Sequence, residues 1–219
     1  MKVVVFGVGD FAQVAHFYLK HDSPHEVVAH TVNREFIKEP TCMGVPVVPF
    51  EEITITYPPD THQLFIAVAY SRVNKNRQEL FEKAKALGYT MLTYVCSKAV
   101  TWPGLEVGEG SFIFENNVVQ PFVRIGVNTV LWSGNHIGHH STIGNHVFIA
   151  SHVVISGNCH VGDNSFIGVN ATLRDGITLG RECVVGAGTL LLKNAPDRAV
   201  FKGHASEPAS LTSDQLPRI

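Results

Sequence analysis

The segment from Ile137 to Gly157, IGHHST IGNHVF IASHVV ISG, restarts on an isoleucine every six residues. It is the middle of a longer pattern. Counted in sixes from Val107, the first position of each hexad reads Val107, Ile113, Val119, Ile125, Leu131, Ile137, Ile143, Ile149, Ile155, Val161, Ile167, Leu173, Leu179, Val185 and Leu191, all fifteen aliphatic and without a slip. The second position is glycine in eight hexads (108, 126, 138, 144, 162, 168, 180 and 186), and the fifth is mostly small. A period of six, with one large and one small inward residue and glycine at the corners, is what a β-solenoid needs. Neither a helix of period 3.6 nor a lone strand of period 2 produces it.

This register resembles the hexapeptide-repeat acyltransferases, and the resemblance implies an all-β left-handed parallel β-helix with three hexads per turn. Residues 18 apart then lie one above the other. Stacked strands are ~4.8 Å apart, so five turns stand roughly 24 Å tall. Cys159 and Cys183 fall at the small inward fifth position and are expected in the core.

The first ninety-odd residues have a different rhythm. Lys2 to Phe6 is a short apolar strand, followed by Gly7-Val8-Gly9-Asp10-Phe11-Ala12 and a helical pattern carrying Val14, Ala15, Phe17, Tyr18 and Leu19. Strands at Glu26 to Val32, Val45 to Val48 and Leu64 to Ala69, and a helix from about Asn74 to Leu87, complete a small α/β, Rossmann-like domain. The expected division is 1–94 for this domain, 95–196 for the β-helix and 197–219 for a C-terminal tail.

A glycine turn can admit a pyrophosphate to a helix N-terminus, with an acidic residue about 20 positions on holding the ribose. Here the second strand ends Thr31-Val32-Asn33-Arg34, without that acid. Asp10 would repel a phosphate but suits a helix N-cap. NAD is therefore disfavoured, leaving a plain tight turn or a sugar-nucleotide site. The sugar-nucleotide reading comes from resemblance. A glycine-turn α/β domain joined directly to a hexapeptide prism, with FIAVAYSRVNKNR at 65–77, is similar to the sialic-acid O-acetyltransferases and nucleotide-amino-sugar N-acetyltransferases of bacterial glycan pathways. That resemblance implies substrate contacts at Gly9, Asp10, Phe11, Asn33 and Ala69. It implies acetyl-CoA contacts at Phe148, Gly157, Val169 and Ala187, and a homotrimer in which two prisms form the coenzyme groove.

His139 is the third residue of its hexad, and 18 residues further on stands Gly157. Acyl transfer from a thioester needs a base of near-neutral pKa and a donor for the developing oxyanion. His139 and the Gly157 amide supply both at one-rung spacing, at positions where the resemblance places base and amide. The family commonly has an acidic residue after this histidine; here it is His140, with Glu115 and Asp175 the other candidates to orient the base. His140, His146 and His152 share one hexad position on successive faces, so they are expected to point outward as solvated or interface side chains. His136 and His160 carry no predicted role. The tail VFKGHASEPA is similar to the family's closing segment, with His204 where a proline commonly follows the glycine.

The whole chain has 219 residues, 45% hydrophobic, 16% charged and a net charge of −2, which offers no basic stripe for nucleic acid. With no apolar run of 18 residues and no signal-peptide layout, a cytoplasmic protein is expected. Zinc chemistry of the γ-carbonic-anhydrase type needs a histidine pair five apart, and His136 to His160 contain none; no metal is expected. The leading expectation is transfer of an acetyl group from acetyl-CoA to an amino group of a nucleotide-linked amino sugar. Sugar O-acetylation and a non-catalytic sugar-nucleotide-binding trimer are the alternatives.

Overall fold

The structure, a computed structural model, describes residues 1–203, 205–208, 210 and 212–215; His204 lies outside them. The N-terminal sheet is built from β1 (Lys2–Phe6), β2 (Glu26–Val32), β3 (Thr41–Cys42), β4 (Val45–Pro49) and β5 (His62–Ile66), in the order β3-β4-β2-β1-β5. All its pairings are parallel except the β3–β4 edge, a two-residue hairpin strand that the sequence did not reveal. Helix α1 (Asp10–Asp22) buries Ala12, Ala15, His16 and Leu19, the one-face spacing of an amphipathic helix. After the one-turn α2 (Ile53–Thr56), α3 (Lys75–Ala86) buries Arg77, Phe81 and Ala84.

Every third hexad contributes a two-residue strand to the same face of the prism. The first face runs through Glu106–Val107, Arg124–Ile125, Thr142–Ile143, His160–Val161 and Thr178–Leu179. The second runs from Tyr94–Val95 through Phe112–Ile113 to Val200–Phe201, and the third from Val118–Val119 to Leu190–Leu191. All are parallel at a register of 18, as in Ile137 against Ile155, except that the last strand of the second face, Val200–Phe201, joins at an offset of 16. The ladder thus begins at Tyr94 and ends at Phe201, slightly beyond the expected 95–196 on both sides. Fourteen of the fifteen hexad-leading aliphatics are buried, and Val107, on the first rung, is packed against them. Cys159 and Cys183 are buried in the same core.

The glycines at the second position do not make the corners. A Cβ on Gly138 would stand 2.5 Å from the backbone nitrogen of Gly157, so glycine is required there by the closeness of the next rung. The corners turn instead at the fourth position, which is left-handed in every hexad from Gly110 to Gly188 and is filled mostly by Gly, Asn and His.

Two buried side chains of the α3 segment dock the N-terminal domain on the second face. Arg77 donates to the carbonyl oxygens of Asn128 (3.3 Å), His146 (2.7 Å) and Val147 (3.1 Å), and to Asn74 Oδ1 (2.7 Å). Asn74 donates to the carbonyls of Asn164 and Ser165. A guanidinium with no carboxylate beside it is tolerated in an interior only when its donors are satisfied this way. The docking also corrects the expectation for His146, which is buried and accepts a hydrogen bond from the Asn128 amide at 2.9 Å. No described helix is long and apolar enough to cross a membrane.

Burial, then the Arg77 charge, pushes His146 down to about 4. Burial, then His30 and Lys20, does the same to His16, which lies 2.9 Å from His30 Nε2. Both are neutral in the fold yet protonate near 6.5 once unfolded. The unfolded chain therefore gains protons first as pH falls: stability is complete above about pH 6.5 and is lost between there and pH 4, by on the order of 3 kcal/mol per histidine. Urea midpoints followed across that window should decline in the wild type. The decline should shrink in His146→Asn, which keeps a residue suited to the left-handed corner, while His16, His30 and His25, all pushed down by burial, retain their share.

Candidate active site

The sequence-predicted residues separate into three places. Asp10, Phe11, Ala69, Phe148 and Val169 come together, with Tyr70, Trp132, Ala150 and Ser151, around an open cleft of about 410 Å³ between the N-terminal domain and the second face. Gly9 and Asn33 instead line a neighbouring cleft of about 400 Å³ at the carboxyl ends of β1, β2 and β5, together with Phe6, Gly7 and Phe36. Ligands of open α/β sheets bind at this end, where strand order reverses. The two glycines of the turn divide the work. A Cβ at Gly7, whose φ is +125°, would lie 2.9 Å from the Ala67 carbonyl oxygen. One at Gly9 would meet nothing within 4 Å. Gly7 is demanded by packing, whereas Gly9 faces open space in the cleft.

Asp10 is not the helix cap. Gly9 is the N-cap of α1, and Asp10 opens the helix with no side-chain capping bond. Its carboxylate is the one charged side chain among those lining the 410 Å³ cleft, whose other walls are aromatic or small. Phe148 is buried in those walls, with Tyr70 at 5.1 Å, Phe166 at 6.0 Å and Arg77 over its face at 5.7 Å. Val169 is exposed, and the corner column Ser151, Val169, Ala187 continues down the prism, tied by the Gly188 amide donating to the Val169 carbonyl at 2.8 Å.

The cleft's aromatic wall has a signal in the sequence. Along the second position that follows each strand of the second face, the residues are Phe114, Trp132, Ala150, Gly168 and Gly186. Large rings stand where the N-terminal domain packs, and small residues follow where the cleft opens.

His139, His140 and Gly157 occupy another corner, between the third and first faces. The His139 amide donates to Gln120 Oε1 at 2.8 Å, and the exposed imidazole leans over the bare α-carbon of Gly157. A Cβ there would lie 2.6 Å from His139 Cε1, 2.8 Å from Nε2 and 2.9 Å from Asp175 Oδ1. His139 Nε2 and the Asp175 carboxylate therefore flank the α-carbon of Gly157, whose amide has no acceptor among the described residues. Asp175 makes no hydrogen bond to His139, and Glu115 is committed elsewhere, accepting from the Tyr18 hydroxyl at 2.6 Å. The partner of His139 Nδ1 is His140 Nδ1, at 3.1 Å. No group of side chains among the described residues could hold a metal ion.

Two glycine substitutions separate structure from chemistry. In Gly157→Ala the atoms nearest the new methyl are side-chain atoms of His139 and Asp175, so the fold should hold within about 1 kcal/mol while the imidazole is displaced. In Gly138→Ala the methyl meets the backbone of the next rung, and the prism should lose stability. Melting curves and turnover measured side by side should show loss of activity alone in the first and loss of stability in the second.

Residues 159–193 match the hexapeptide repeat of succinyl-transferase. No curated protein sequence matches the chain. Among solved structures, the acetyltransferase domain of PglB from Neisseria gonorrhoeae superposes with a TM-score of 0.84 at 23% identity, over 95% of this chain and 99% of that one. A histidine-to-asparagine mutant of perosamine N-acetyltransferase from Caulobacter crescentus, in complex with CoA and GDP-perosamine, does so with a TM-score of 0.67 at 23% identity, over 93% and 94%. WeeI from Acinetobacter baumannii gives 0.63 at 21% identity, over 93% and 97%. The chain shares the two-part fold of these proteins along nearly its whole length.

Proposed function

We propose that this protein transfers an acetyl group from acetyl-CoA to the amino group of a nucleotide-linked amino sugar, in the cytoplasm and in bacterial surface-glycan synthesis. The observation that carries this reading is that His139 Nε2 flanks the α-carbon of Gly157, whose amide has no acceptor among the described residues. The fold shared with the gonococcal PglB acetyltransferase domain and with the perosamine enzyme, which was captured with CoA and GDP-perosamine, supports it. In this reading the prism is left-handed and the N-terminal domain is a Rossmann-like nucleotide holder. The nucleotide then lies at Gly9 and Asn33, and the sugar points into the cleft of Asp10, Phe11 and Ala69.

When bound, acetyl-CoA supplies the thioester carbonyl. His139 Nε2 takes a proton from the attacking nitrogen as the C–N bond forms, and the Gly157 N–H donates to the carbonyl oxygen, which carries the developing charge. As the C–S bond breaks, the imidazolium returns that proton to the departing sulfur. The column Ser151, Val169, Ala187 leaves space for a narrow arm, since a bulkier residue at any of the three would fill it. Asp10 attracts an amino sugar, cationic in solution, in preference to the neutral hydroxyl of the O-acetylating alternative, and the amine attacks after releasing its ammonium proton to solvent.

One chain cannot complete this site, because its base stands at one end of the third face and its cleft at the other. The outward residues of that face are Val118, His136, Val154, Thr172 and Leu190, with Val100 above them; the four aliphatic ones are exposed. On the first face the outward positions are Glu106, Arg124, Thr142, His160 and Thr178. Three copies that turn their third faces to a common axis bury the apolar stripe. Each His139 corner then meets the Ser151–Val169–Ala187 corner of the next copy. The homotrimer is therefore part of the proposed catalytic unit.

Thiol release from acetyl-CoA, measured with UDP- and GDP-linked amino sugars, tests the reading. Turnover with an amine donor, a product that gains an acetyl group resistant to hydroxylamine, and a fall of ~10²–10⁴ in His139→Asn are expected. A hydroxylamine-labile ester would establish the O-acetylating alternative, and no turnover with any donor would favour the binding trimer.

A further inference from the structure

We propose that His140 is the positioning residue of this site: it holds His139 in the tautomer able to act as a base, and Phe122 clamps His140 in place. The proposal rests on His139 being the base. A neutral imidazole carries one N–H, and the state of one ring nitrogen is set by the hydrogen bond of the other. The two Nδ1 atoms are 3.1 Å apart, so one donates to the other. If His139 donates, its Nε2 is bare and faces Gly157, ready to accept a proton. If His140 donates, His139 carries its proton on Nε2, beside Asp175, and cannot serve.

Phe122 marks this corner as built for a purpose other than stability. It occupies the left-handed fourth position with φ +67°, where the other hexads place mainly Gly, Asn or His, and where an aromatic residue is strained. Its ring is 74% exposed, so burial does not compensate the strain. What it does contact is the imidazole of His140, with ring centroids 4.6 Å apart and planes tilted by 36°. His140, itself left-handed at φ +59°, is thus held by Phe122 on one side and by the Nδ1 contact on the other. The other titratable groups along this corner are Cys159, Arg174, Asp175 and, one rung beyond Asp175, Lys193.

This arrangement differs from a histidine backed by a carboxylate. A neutral imidazole accepts the Nδ1–H and so selects the tautomer, but it adds no negative charge to raise the basicity of His139. A carboxylate in its place should keep the orientation and also move the acid limb of the rate profile upward.

The test compares His140→Asn, His140→Asp, His140→Ala and Phe122→Gly. Asn keeps an acceptor near the Nδ1 position and suits the left-handed corner, so it should retain kcat within about threefold. Ala removes the acceptor and should lower kcat roughly tenfold or more, within the ~10²–10⁴ that a base supplies, with KM for acetyl-CoA unchanged. Asp should retain turnover with its acid limb shifted to higher pH. Phe122→Gly relieves the strain, so Tm should hold or rise while kcat falls. Nitrogen-15 spectra of labelled histidines read the His139 tautomer without turnover, and should place its proton on Nδ1 in the wild type and redistribute it in His140→Ala. A His139 proton on Nε2 in the wild type, equal rates for the Ala and Asn variants, or an unchanged kcat in Phe122→Gly would overturn the proposal. A wild type that transfers no acetyl group but carries the Nδ1 proton would instead refute the base assignment while leaving the pairing intact.

Discussion

Each corner residue of the prism owes its place to one constraint, the parallel backbone ladder that repeats every 18 residues. Gly138 N–H donates to the Ile155 carbonyl at 2.7 Å and Ser156 N–H to the Leu173 carbonyl at 3.1 Å, and so on down the stack. Such a ladder fixes the axial position of each corner residue, because a strand that slipped by one residue would turn its aliphatic side chain outward. His139 faces Gly157, and Val169 stands above Ala187, because the rungs allow no other pairing.

The ladder makes a rod, and a rod has no cleft. The cleft exists because the N-terminal domain is docked on the second face, and Arg77 is central to that docking. Its guanidinium satisfies three carbonyl oxygens of the fourth- and fifth-position turns; the amides of Asn128 and His146 are engaged within the ladder and that of Val147 by the Thr129 hydroxyl. Around it, Phe65, Tyr94, Phe112, Phe114 and Phe148 merge the two parts into one core. Docking brings Asp10 and Phe11, at the start of α1, and Tyr70, after β5, over Phe148 and Ser151. The same docking buries His146 and keeps its imidazole neutral.

The prism was legible because its period lies within the sequence: the inward aliphatics and the proximity of His139 to Gly157 both follow from counting. The left-handed fourth position is also written there, in Asn116, Asn128, Asn158, Asn164 and Asn170, whereas the glycines of the second position mark the close approach of the rungs. What counting could not supply is the set of contacts made between distant segments. Arg77 lies on a helix of charged residues and carries no mark of burial. His146 has the same hexad position as His140, and only the helix above it distinguishes the two. Asp10 reads as a cap by residue type, whereas the chain turns one residue earlier, at Gly9. Gly9 and Asn33, grouped with Asp10 by resemblance, face a separate cleft because β1 and β2 end on the far side of the glycine turn.

The central claim, that a base from one copy serves the cleft of the next, is most directly tested by complementation. His139→Ala removes the base and leaves the cleft intact; Val169→Trp fills the cleft and leaves the base. Each variant alone should be nearly inactive. If the two are co-expressed in equal amounts and assemble at random, each site pairs an intact cleft with an intact base by chance, restoring about a quarter of the wild-type activity. Mixed assemblies that form and stay as inactive as their parents would contradict the account.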